Sequence, residues 1–104
     1  MGSPRKVIPI ARIARHLAGD TQEDFSARYG VAPAVQIRRE LGQADLPEIA
    51  DRLYRAVIVI CAVGRPELLE VVDQDGKRSE ARSYLRLAEE LQARGLSSLI
   101  PRTL

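Results

Sequence analysis

Cysteine occurs once in the 104 residues, as Cys61, and histidine once, as His16. A lone cysteine excludes an internal disulfide, and the two residues together fall short of the ligand set of a zinc site. Tryptophan is absent, and the aromatics are Phe25, Tyr29, Tyr54 and Tyr84. No apolar run approaches the ~20 residues that span a bilayer. The opening "MGSPRK" has no apolar signal-peptide stretch, so a cytoplasmic protein without a membrane partner is expected. The glycines form no phosphate loop. "DQDG" at 73–76 begins like a calcium loop, but the position of its closing glutamate holds Tyr84. His16 has no evident Cys, Ser or Asp partner. No cofactor, no metal and no catalysis are expected.

Apolar residues make up 45% of the chain and charged ones 29%, a composition that folds around a core. The net charge of +2 is unevenly placed. Residues 1 to 42 carry seven Lys/Arg against four acids, and residues 43 to 104 carry nine against ten. A basic face therefore belongs to the first half. Fourteen of the sixteen cations are arginine, whose planar fork suits phosphates and guanine edges.

Residues 1–8 form a basic arm with Arg5 and Lys6. Pro9 suits a first helical turn; Ile10, Ile13, Ala14 and Leu17 follow at helical spacing, and Gly19 stops the run. Asp20 or Thr21 offers a cap for "QEDFSARY", with Phe25 and Tyr29 on one face. Gly30 and Val31 make a turn, Pro33 starts "PAVQIRREL", and Gly42 ends it. "DLPEI" opens another helix, with Asp45 as cap and Pro47 in its first turn. The helical period then runs from Leu46 to Cys61. "AVIVICAV" is apolar throughout and rich in β-branched residues, so a strand paired with "ELLEVV" around "GRP" is the alternative. "DQDGK" reads as a turn. Ser79 caps a last helix with a stripe of Ala81, Tyr84, Leu85, Ala88 and Leu91, which Gly95 ends. The reading is an all-α fold, a small bundle of five to six helices forming one compact unit. The alternative is α+β, with a β-hairpin at about 56–72.

"GDTQEDFSARYGV", preceded by "ARIARHLAG", resembles the Cro/repressor-type (XRE) helix-turn-helix family over residues 9–42. Thr21, Gln22, Glu23, Asp24, Phe25, Ser26, Gly30 and Val31 carry the resemblance. Ser26 is small enough for close helix packing, and Gly30 permits the positive φ of the turn. Three positions depart from the family. Asp20 stands where the family has a buried leucine. Ala32 stands where it has a Ser or Thr cap. Gln36 stands at the fifth position after the valine, where it has an apolar residue, so a rotated or shifted second helix is expected. The resemblance implies that Ala34, Gln36, Arg38 and Arg39 lie nearest the major groove. Gln36 would pair with adenine and Arg38 or Arg39 with guanine. Gln22 would hold a phosphate, and Arg5 and Lys6 would follow the backbone or enter the minor groove.

A helix without a polar face is central either in its own fold or in an interface. Residues 45–95 are therefore expected to form a helical dimerisation and packing region, with Val59, Ala62 and Val63 at the interface and residues 96–104 as a tail. Cys61 reads as a small buried apolar residue. The functional expectation is a homodimeric transcriptional regulator of bacterial, plasmid or phage type, such as a repressor, that binds double-stranded DNA. The alternative is a helical protein-interaction module, an anti-activator or adaptor subunit, with a protein partner and no DNA binding.

Overall fold

A computed structural model describes residues 8–74 and 79–100. The chain forms α1 (Ile10–Ala18), α2 (Gln22–Tyr29), α3 (Pro33–Glu40), α4 (Glu48–Ala62) and α5 (Glu80–Ala93). A 3-10 segment, Pro66–Gln74, joins α4 to α5, and a 3-10 turn, Ser97–Leu99, follows α5. No strand occurs among the described residues. Arg5 and Lys6 of the arm, residues 75–77 of the expected turn with residue 78 after it, and residues 101–104 lie outside them.

Local chemistry sets the first three boundaries. The carbonyl of Pro9 accepts from the amides of Arg12 and Ile13, which starts α1. At Gly19 the amide turns back to Arg15 and His16 with φ of 75°. Thr21, rather than Asp20, caps α2; its hydroxyl accepts from the Asp24 amide at 3.1 Å. Gly30 takes φ of 72° at the corner, and Val31 donates its amide to the Ser26 carbonyl at 3.0 Å. Pro33 then supplies the first residue of α3. Its missing N–H removes one donor that Ala32 has no side chain to satisfy.

The apolar run 56–63 is helical through Ala62, where α4 ends with Val63 as its cap; the hairpin alternative is excluded. Alternation would have turned every second residue of a strand to one side. Instead Leu53, Tyr54, Ala56, Val57 and Ile60 are buried together at helical spacing. The helix starts at Glu48, with Pro47 just ahead of it, so Asp45 is not its cap. Pro47 has the ring-fixed φ of −57° with a non-helical ψ of 151°, which places it outside the helix. Residues 66–74 are tighter than an α-helix. They bury Leu68, Leu69 and Val72, and Leu69 and Val72 eclipse at the three-residue period of a 3-10 helix.

α4 is the central element and packs on α1, α5 and both 3-10 segments. Ala11 and Ala14 are fully buried, and their small side chains suit close approach of α1 to α4. Phe25, Tyr29 and Tyr54 form an aromatic centre, with Phe25 centroids 4.4 Å from Tyr29 and 5.8 Å from Tyr54. Such pairs add about 0.5–1.5 kcal/mol beyond burial. The buried stripe of α5 is Ser83, Tyr84, Leu87 and Leu91, with Leu85 exposed. The stripe expected through Ala81 and Leu85 is thus rotated. The hydroxyl of Ser83 donates to the Tyr29 carbonyl at 2.8 Å, which holds that side of α5 against the end of α2. Leu96, Leu99 and Ile100 pack on the core, so the beginning of the tail docks.

Candidate nucleic-acid interface

α2, the Gly30 corner and α3 form a helix-turn-helix whose inner side is closed. Phe25, Ser26, Tyr29 and Val31 are buried. So is the inner face of α3, and here three polar residues take the buried places. Gln36 is 0% exposed, Glu40 6% and Arg39 8%. The expectation that Gln36 and Arg39 face base edges is corrected. The helix is not rotated away from the corner. Gln36 keeps the inward position five residues after Val31 and brings its own hydrogen-bond partners.

The partners of Gln36, Arg39 and Glu40 come from α3 itself and from three other helices, α1, α4 and α5. Gln36 Oε1 accepts from the Tyr54 hydroxyl at 2.7 Å. Its Nε2 donates to Glu40 at 2.8 Å and to the Ala11 carbonyl at 3.4 Å. Glu40 receives a two-pronged contact from Arg15, Nε at 2.8 Å and Nη2 at 2.7 Å. Arg39 Nη1 donates to Tyr54 at 3.1 Å and to Glu80 at 2.9 Å, and its guanidinium lies 5.8 Å from the Tyr54 ring centre. A continuous polar chain therefore runs from α1 through α3 to α4 and α5. Buried polar groups of this kind are costly unless partnered; Gln36 and Glu40 are partnered, and Arg39 is held through Nη1 while its buried Nε has no partner.

Burial alone would push the Glu40 carboxyl up. Hydrogen bonds from Arg15, Gln36 and Gln22, with the charge of Arg15, outweigh that and hold it below the ordinary value of 4.5. Glu40 is thus a carboxylate, and Arg15 is its counter-ion. Gln22, expected at a phosphate, is half-buried and spends a side-chain hydrogen bond on Glu40. Asp20 sits in a largely buried site and pairs with Arg28 at 3.1 Å; an ion pair stands where the resemblance has leucine.

The open face of α3 is what remains: Ala34, Ile37, Arg38 and Leu41, at spacings of three, four and seven residues. Ile37 is 41% exposed and Leu41 62%. Of the expected groove residues, Ala34 and Arg38 lie here. Ile37 and Leu41 were missed, because an apolar residue on a helix reads as core when the partner side is unknown. They border a shallow hollow of about 220 Å³ that Arg12, Arg15, Gln22 and Glu40 complete. Arg12 is exposed at its margin. The only carboxylate within α3, Glu40, is buried, so this face carries an exposed cation and no exposed acid.

Val59, Ala62 and Val63 lie at the C-terminal end of α4. Val59 is half-buried, Ala62 is exposed and Val63 is half-exposed. Cys61, between them, is partly buried; burial, then the charge of Asp20, pushes its thiol up, which disfavours thiolate chemistry. Among the described residues no group of His, Cys, Asp and Glu could hold a metal ion. No helix among them is long and apolar enough to cross a membrane. Comparison with family models, curated proteins and solved structures gives no match.

Proposed function

We propose that this protein is a DNA-binding transcriptional regulator that inserts α3 into the major groove as part of a homodimer. The observation that carries the reading is the Gly30 corner. It joins two eight-residue helices, anchors one side of α3 in a polar and aromatic core, and leaves the opposite side open with Arg38 on it. A helix presented in this way can lie in a major groove with its N-terminal part at the base edges. Arg38 lies on that face, and Arg12 on α1 lines the hollow beside Ile37 and Leu41. Arg5 and Lys6 would add phosphate contacts, and a cytoplasmic location fits such a partner.

Titration of a fluorescent duplex across salt concentrations tests this. Wild-type binding should weaken with salt at a slope of about −0.9 per phosphate contacted. Arg38→Ala should lose or flatten it while the fold is kept. Absence of binding at low salt, on random and selected sequences alike, would remove the DNA reading. A second reading then stands on a specific feature: Ile37 and Leu41 are open beside a basic margin, as on a module that docks a partner protein.

A further inference from the structure

We propose that the open face of α3 reads thymine methyl groups, so that the preferred site is a thymine-containing run with a single guanine contacted by Arg38. The inference rests on the DNA-binding reading and goes on to name the base chemistry. It follows from which side chains are left open. Gln36, the side chain that pairs best with adenine, has its oxygen and nitrogen both engaged inside the fold. Arg39, a possible second guanine reader, is committed to Tyr54 and Glu80. The face that remains holds one hydrogen-bonding group, Arg38, among Ala34, Ile37 and Leu41. In the major groove the one apolar feature of a base pair is the C5-methyl group of thymine, and alkyl side chains are its natural contacts.

Position along the helix ranks the contributors. Ala34 is the second residue of α3 and Ile37 lies less than one turn further on. The N-terminal part of such a helix reaches the bases, so these two meet methyl groups and Leu41 lies toward the backbone. Charge supports a nucleic acid as the occupant. Arg38 and Arg12 are exposed, and the carboxylate of α3 is buried against Arg15. Each methyl group taken out of water should strengthen binding about fourfold.

The test uses the full chain and a duplex selected by it from a random pool. Thymines in that duplex are then replaced by deoxyuridine, which keeps every hydrogen-bonding edge and removes only the methyl group. The Kd of wild type and Ile37→Ala is measured on both duplexes at one salt concentration. The expected result is about fourfold weaker wild-type binding per contacted methyl lost. Ile37→Ala should weaken binding to the thymine duplex and leave the uracil duplex nearly unchanged. Ile37 is exposed, so the variant should fold, and helicity by circular dichroism checks this. Equal wild-type Kd on the two duplexes, with salt-sensitive binding intact, would overturn the methyl reading and leave the DNA reading standing. No selected duplex and no binding at low salt would overturn both.

Discussion

Truncating Arg39 and truncating Arg38 should have opposite consequences. Arg39 is 8% exposed and bridges Tyr54 and Glu80; without it the Glu80 carboxylate loses its partner at the edge of the core. Arg39→Ala is expected to cost about 3 kcal/mol in urea unfolding, the lower end for a broken buried pair because the Glu80 side chain is 17% exposed. Arg38 is exposed, and Arg38→Ala should change stability by less than about 0.5 kcal/mol, its effect falling on the proposed DNA binding alone. Arg15→Ala adds a pH signature. The folded value of Glu40 is depressed, so its contribution is present above the ordinary value of 4.5 and is lost as pH falls through the folded value. Arg15→Ala leaves the carboxylate buried without its cation, a loss of about 3 kcal/mol at pH 7. The gap between wild type and variant should narrow as pH falls toward the depressed folded value of Glu40, because the variant's buried acid, without its cation, takes a proton at higher pH than the wild type's. Chemical denaturation at pH 7 and pH 4 checks this; an equal gap at both would remove Glu40 as the cause.

The corner depends on one backbone conformation. Gly30 has φ of 72°, where a Cβ costs roughly 1–2 kcal/mol. Gly30→Ala should lower stability by about that amount and, by reorienting α3, weaken DNA binding more than the stability loss explains; a thermal melt beside a binding titration separates the two. Features of this local kind were legible in the sequence. Thr21, Gly19, Gly30 and Pro33 each announce a boundary through their own side chain or its absence, and the run to Cys61 keeps helical period through its β-branched residues. What the sequence did not yield was the direction in which polar residues point. Gln36, Arg39 and Glu40 look like a solvated helix face because their partners, Arg15, Tyr54 and Glu80, lie 15 to 41 residues away. No periodicity connects residues on four different helices. The exposed Ile37 and Leu41 are hidden for the converse reason, since an apolar residue at helical spacing reads as core.

Across the whole molecule, the polar chain has a consequence for how the halves work together. Glu80 and Ser83 of α5 hold Arg39 and the end of α2, and Tyr54 of α4 holds Gln36. The helix-turn-helix is thus seated on the C-terminal helices rather than tethered to them, and whatever fixes α4 in a dimer also fixes the angle at which α3 is offered. A single small reader makes few phosphate contacts, and pairing two on half-sites one helical turn apart is the usual remedy. The open end of α4, with Val59, Ala62 and Val63, is the surface we assign to that pairing. Analytical ultracentrifugation at micromolar protein is expected to give twice the 11.5 kDa chain mass. Val63 is 50% exposed, so Val63→Asp should leave the folded chain intact while placing two like charges across the proposed two-fold interface. The variant should sediment as a monomer and bind an operator-length duplex at least tenfold more weakly, with its circular dichroism unchanged. A wild-type chain that sediments as a monomer at that concentration would sink the α4 interface, and α3 would then have to read its site alone.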